Sequence, residues 1–124
     1  EGKDLTRWSL YGRWALVYVW ESWCGPCRRE KPNVVSAYKE FKNKGFTICG
    51  VSYDTKKDTW EKAIKDDKLN WYQVSDLKGW KNSTSDLYGI KAIPSNLLLD
   101  KEGTIIAKNI FGKKLTDKLS KLMP

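Results

Sequence analysis

The side chains of this 124-residue chain best suited to chemistry are the two cysteines of Trp23-Cys24-Gly25-Pro26-Cys27. They follow the apolar run Trp14-Ala15-Leu16-Val17-Tyr18-Val19-Trp20 and precede a long stretch of helical periodicity. A Cys-x-x-Cys pair at the junction of a buried strand and a helix reads as a redox-active dithiol, both sulfurs lying within bridging reach across the first helical turn. The first cysteine then stands at the helix N-terminus, where unpaired N–H groups and the macrodipole favour a thiolate. A thiolate is the nucleophile of thiol–disulfide exchange. Pro26 suits the first turn because its missing N–H has no helical partner there anyway.

Other uses of the pair are weighed by composition. A structural zinc site needs about four Cys or His ligands, and the chain has three cysteines and no histidine. Haem attachment needs a histidine where Arg28 stands. A Cys–His nucleophilic enzyme is excluded by the same lack of histidine. An inert structural disulfide stays open, although such a bridge has no need of a strand-to-helix junction.

The elements that must position the pair follow from patterning. Residues 14–20 are apolar at nearly every position, which predicts a central strand covered on both faces. The helix after Cys24 is expected to run to about Lys44, with Val34, Tyr38 and Phe41 inward, a kink at Pro32 and Gly45 as its C-cap. Residues 46–53 read as a second buried strand, completing a right-handed βαβ unit. Cys49 in that strand is expected to pack as a small hydrophobe. Residues 56–68 suggest a charged surface helix with Trp60, Ala63 and Ile64 turned inward. Tyr72-Gln73-Val74 suggests a short strand, and Asn82 to Tyr88 a short helix ended by Gly89. Residues 95–100 and 104–108 flank a turn with Gly103 placed for positive φ, a hairpin. A last helix carries Leu115, Leu119 and Leu122 on one face. The sum is an α/β fold with a central mixed β-sheet flanked by helices.

The length predicts one domain over residues 1–124 with a core of its own. The net charge of +8 is spread along the chain rather than clustered. It therefore predicts a solvated basic surface that steers acidic partners, with no nucleic-acid partner. No integral membrane segment is visible. The chain opens at Glu1 without an initiator Met, which suggests a mature product or a piece excised from a longer protein.

The parallel βαβ half followed by an antiparallel ββα half is the thioredoxin topology. The stretch from Trp20 to Pro32 resembles the active-site signature of thioredoxin-like proteins, and its Glu30-Lys31-Pro32 ending resembles the TlpA/ResA-type, AhpC/TSA-like thiol–disulfide oxidoreductases of the bacterial envelope. Gly89-Ile90-Lys91-Ala92-Ile93-Pro94-Ser95, continuing through Asp100 to Gly103, is similar to that group's second signature. Residues 55–80 match the βα insertion by which the group extends the minimal fold. The resemblance runs from about Leu5 to Leu122.

It implies a thiol:disulfide oxidoreductase with Cys24 as attacking nucleophile and Cys27 as buried resolving thiol, joined in a redox-active disulfide when oxidised. It also implies a cis peptide bond at Pro94 beside the dithiol, with the Ile93 backbone free to pair with a substrate segment. Trp23, Gly25 and Pro26 form the rest of the expected substrate contact. Glu30, three residues beyond Cys27 on the same helix face, is expected to come near the sulfurs and accept the resolving thiol's proton. No metal and no organic cofactor are implied. The implied partners are a disulfide-containing protein substrate and an upstream dithiol donor. A monomer is expected in the periplasm or cell envelope, with a membrane anchor in the full-length precursor as an option. Two readings stand beside reduction: a partner-binding module without turnover, and a net disulfide oxidase.

Two positions depart from the pattern. Tyr18 stands where thioredoxins carry a buried Asp, and a phenol does not serve as a base near neutral pH. Glu21 stands where a small residue is usual, and is expected to be solvent-exposed or linked to Arg28.

Overall fold

A computed structural model describes residues 12–67, 71–75, 77, 90 and 92–124. Its elements in chain order are β1 (Trp14–Trp20), α1 (Gly25–Phe41), β2 (Phe46–Ser52), α2 (Lys57–Asp66), β3 (Tyr72–Val74), β4 (Ser95–Leu99), β5 (Ile105–Lys108) and α3 (Lys113–Leu122). The strands form one mixed sheet in the order β3-β2-β1-β4-β5. β1 pairs in parallel with β2, as β2 does with β3, while β4 runs antiparallel to both β1 and β5. This is the α/β thioredoxin arrangement. The segment 55–80 contributes α2 and the edge strand β3.

β1 explains why the sheet holds together. Its side chains alternate between two apolar clusters. Leu16, Tyr18 and Trp20 join α1 and α3 residues on one face, and Ala15, Val17 and Val19 join Cys49, Val51, Tyr53 and Leu97 on the other. Burial on both faces is why the sequence of β1 is apolar throughout. Both cysteines of the Cys-x-x-Cys pair belong to the first cluster, whereas Cys49 is a free, buried thiol in the second.

α1 continues uninterrupted through Pro32 and ends at Phe41, three residues short of the expected Lys44. The last turn tightens into a 3₁₀ turn at Lys42–Lys44, a common way for a helix to satisfy its final carbonyls, and Gly45 closes it at φ 86°. The β4–β5 hairpin forms with Gly103 at φ 85°. The helix expected at 82–88 lies outside the described residues.

Candidate active site

The pair sits where β1 gives way to α1. Cys24 is the N-cap of α1, with extended backbone, and its Sγ accepts a hydrogen bond from the Cys27 N–H at 3.2 Å. Its carbonyl accepts from the Arg28 N–H at 3.0 Å, which starts the helical ladder. The two sulfurs are bonded as a disulfide. Cys27 is fully buried and Cys24 is 7% exposed, while the neighbouring Trp23 is 72% exposed. Gly25 and Pro26 are exposed beside it. The disulfide thus presents one sulfur toward an aromatic, solvent-facing rim and keeps the other in the core.

The antiparallel register pairs Val19 with Ser95. That sets Pro94 level with the end of β1, where the Cys-bearing loop leaves the sheet. The Ile93–Pro94 peptide bond is cis, both residues are half-buried, and Ile93 packs against the cluster that contains the cysteines. The Ser95 hydroxyl donates to the Ala92 carbonyl across this turn.

Three charged or polar groups near the pair have surroundings that the sequence does not disclose. Tyr18 is buried and its hydroxyl donates to the Cys27 carbonyl at 3.0 Å. Burial first, then the charges of Glu30 and Asp67, push its ionisation far above the ordinary range, so the phenol stays protonated and holds α1 in place. Glu30 is half-buried and its carboxylate is already engaged. Oε2 accepts from the Gly112 N–H at 2.8 Å and Oε1 from Asn33 Nδ2 at 3.1 Å. It ties α1 to the start of α3, a contact across 82 residues that spacing along α1 does not disclose.

Glu21 corrects the expectation outright. It is neither exposed nor paired with Arg28, but buried at 3% exposure. Burial, then the charge of Asp54, pushes its carboxyl up to about 7. Asp54 itself accepts from the Ser22 N–H at 3.1 Å and from the Ser22 and Ser52 hydroxyls at 2.5 Å each. These bonds clamp the loop that leads into Trp23 and Cys24 onto the end of β2. The Cys24 N–H donates to the Glu21 carbonyl at 3.2 Å and completes the clamp.

Arg28 turns to α2 instead. Its guanidinium grips Asp67 through Nη2 at 2.9 Å and through Nε, and its Nη1 donates to the Ser22 carbonyl at 2.7 Å. The forked geometry of arginine suits this two-point grip on a carboxylate. Lys31 is buried beneath the same carboxylate, its Nζ 3.2 Å from the centre of the Trp20 ring. That indole also donates a hydrogen bond from Nε1 to Gln73 Oε1 at 3.2 Å. Sequence reading missed Lys31, Asp67 and Gln73. For Lys31 a signal existed: 27, 31, 34 and 41 fall on one helical face, and all four are buried.

A strand-to-helix dithiol with one sulfur at a helix N-cap, a level proline turn and this sheet order decide the kinship together with the sequence. The AhpC/TSA family model matches residues 1–108. The chain belongs to the AhpC/TSA family. Within it the chain is of the TlpA/ResA type, a thioredoxin-like oxidoreductase fold. It is similar to the thioredoxin domain of a thiol–disulfide oxidoreductase from Bacteroides vulgatus, with 36% identity and a TM-score of 0.91 over 98% of this chain and 87% of that one. A thiol–disulfide oxidoreductase from Bacteroides fragilis is 40% identical, with a TM-score of 0.85 over 90% of this chain and 82% of that one. The thiol–disulfide oxidoreductase ResA of Bacillus cereus is 29% identical over 96% of this chain and 66% of its own length. The ResA of Bacillus subtilis is matched over 57% of its length, so the chain spans about three fifths of these curated relatives.

Proposed function

We propose that the chain reduces disulfides in protein partners through the Cys24–Cys27 dithiol. The observation that carries this reading is the asymmetry of the pair: Cys24 caps α1 at the edge of the core while Cys27 is sealed inside it. In the reduced state the N–H groups of the first turn and the helix dipole stabilise a Cys24 thiolate. That thiolate attacks a partner disulfide, forming a bond to one partner sulfur and releasing the other as a thiolate. Cys27 then loses its proton and attacks Cys24, the Cys24–partner bond breaks, and the partner leaves as its second thiolate. The two electrons of the dithiol have passed to the partner, and an upstream dithiol donor restores Cys24 and Cys27. The Gly25-Pro26 dipeptide, like that of reducing thioredoxins, supports reduction as the net direction.

The partner segment is proposed to lie against Trp23, Gly25 and Pro26 and to pair with the backbone at Ile93, Pro94 forming the other wall. Glu30 is proposed to receive the proton that Cys27 sheds, a reading supported by its place one turn beyond Cys27 on α1 and by the TlpA/ResA resemblance. The TlpA/ResA resemblance supports a place in the cell envelope, a monomer, and one domain over residues 1–124.

Insulin reduction driven by dithiothreitol tests the activity. Wild type is expected to turn over, Cys27→Ser to accumulate a mixed disulfide, and Cys24→Ser to do neither. Binding of partners without any turnover by wild type would overturn the reading in favour of a recognition module. An equilibrium with glutathione that leaves the pair mostly reduced would make it an oxidant instead.

A further inference from the structure

The reductase reading gives Lys31 nothing to do, yet its surroundings are unusual. Lys31 stands four residues after Cys27, so both share the inward face of α1, at 2% and 0% exposure. It is the only cationic side chain buried among the described residues. Its Nζ lies 3.2 Å from the centre of the Trp20 ring and 5.7 Å from that of Tyr18, and it makes no hydrogen bond with the described residues. The nearest carboxylate oxygen, Asp67 Oδ2 at 4.0 Å, is already in the grip of Arg28. The charges that bear on it are Asp67 at the end of α2, Arg28 on its own helix and Asp54 beyond β2. β1 presents two neutral rings, those of Tyr18 and Trp20.

Burial above all, and then Arg28 against the pull of Asp67 and Asp54, brings the amine down to about 7. Stability alone does not account for such a residue. An apolar side chain of similar length would fill the space without the cost of a buried, unbonded ammonium. A cation resting on an indole face recovers only part of that cost. The other group on this buried helix face that changes charge is Cys27.

We propose that Lys31 is a positioning residue for the resolving step, its charge rising and falling with that of the Cys27 sulfur. The proposal rests on the reductase reading in taking Cys27 as the resolving thiol. While the disulfide is closed, no negative charge develops on the sulfurs, and the dry pocket lets the amine lose its proton near neutrality. When Cys27 of the mixed disulfide ionises, Glu30 relays its proton to the solvent and the thiolate draws a solvent proton onto Lys31, so the charge that appears at Sγ is matched at Nζ. The pocket's net charge does not change. Cys27 then bonds to Cys24, the partner departs as a thiolate, and Lys31 gives its proton back to the solvent as the negative charge leaves with the partner. The thiolate is never alone in a medium that would otherwise raise its ionisation steeply.

The test reads Lys31 directly. Its side-chain amine is titrated by NMR in the oxidised and in the reduced wild-type protein, and the midpoint is expected to rise by about one pH unit on reduction. The same midpoint in both redox states would overturn the proposal, and this arm needs no variant. In Lys31→Met, thiolate absorbance is expected to show the Cys27 ionisation about one unit higher. Release of partner from the mixed disulfide at neutral pH should then be about tenfold slower, one pH unit being a tenfold change in thiolate. Lys31→Arg, which carries a fixed charge, should restore the wild-type Cys27 ionisation; an unmoved ionisation in Lys31→Met would also overturn the coupling. Insulin reduction by wild type judges the reductase reading separately. A redox-linked Lys31 midpoint in a protein without turnover would sink the reductase and leave the coupling standing.

Discussion

Replacing Glu21 with glutamine should stabilise the protein, and only at the upper end of the pH range. The wild-type carboxyl is 3% exposed and faces Asp54, and it is pushed from 4.5 up to about 7. The folded chain therefore holds this proton more tightly than the unfolded chain does. Between about pH 4.5 and 7 the unfolded state sheds the proton while the folded state keeps it, so stability falls as pH rises through that window. Above about 7 the cost is complete; below about 4.5 it is absent. At ~1.4 kcal/mol per pH unit the full gap corresponds to roughly 3 kcal/mol. Local relaxation around the ionised carboxylate offsets part of that cost, and about 1–2 kcal/mol is the expected size. Glutamine keeps the shape of the protonated acid and has no charge to desolvate. Urea unfolding of the oxidised proteins, followed by tryptophan fluorescence, should show equal midpoints near pH 4.5 and Glu21→Gln the more stable by that amount at pH 8. Lys31 also titrates here, but it is common to both proteins and drops out of the difference. A difference that does not vary with pH, or a glutamine variant weaker than wild type at pH 8, would refute the reasoning.

Tyr18→Phe removes the hydroxyl that donates to the Cys27 carbonyl and should cost about 1 kcal/mol in urea unfolding. Because the phenol stays protonated, the pH profile of insulin reduction should keep its shape, and a lost limb would show Tyr18 moving protons after all. Gly50→Ala would place a Cβ 2.2 Å from Gln73 Oε1, dislodging the amide and stranding the Trp20 N–H, for a loss of about 1–2 kcal/mol by the same measurement. Asp67→Asn should loosen the Arg28 fork by about 1 kcal/mol. It should also lower the Lys31 midpoint by NMR, since the Asp67 charge favours the ammonium.

The backbone plan was legible because it is written in local patterns. The all-apolar β1, the periodic face of α1, and the Gly45 and Gly103 turns each need only a short window of sequence. The redox pair was legible for the same reason, its spacing and its place between strand and helix being local. The electrostatic frame around the pair was not. Asp67 reaches Arg28 from 39 residues away, Gln73 reaches Trp20 from 53 and Gly112 reaches Glu30 from 82. Glu21 and Lys31 look like surface charges in the sequence, because a charge is usually solvated. Their burial is imposed by partners that only the closed sheet brings together. Helical phase alone places Lys31 with Cys27 and Val34; nothing comparable marks Glu21, which follows directly on a strand.

The sheet also keeps two kinds of sulfur apart. Cys49 is fully buried among the residues of the second cluster, across β1 and β2 from the disulfide, and burial pushes its thiol up to about 12. It is therefore a poor nucleophile in the native state, and a labelling reagent meets it only when that cluster opens. An added thiol probe thus becomes a clock: the rate at which Cys49 is modified reports how often the barrier between the two sides is breached. The chain's third cysteine cannot join in exchange at the other two unless the sheet first comes apart.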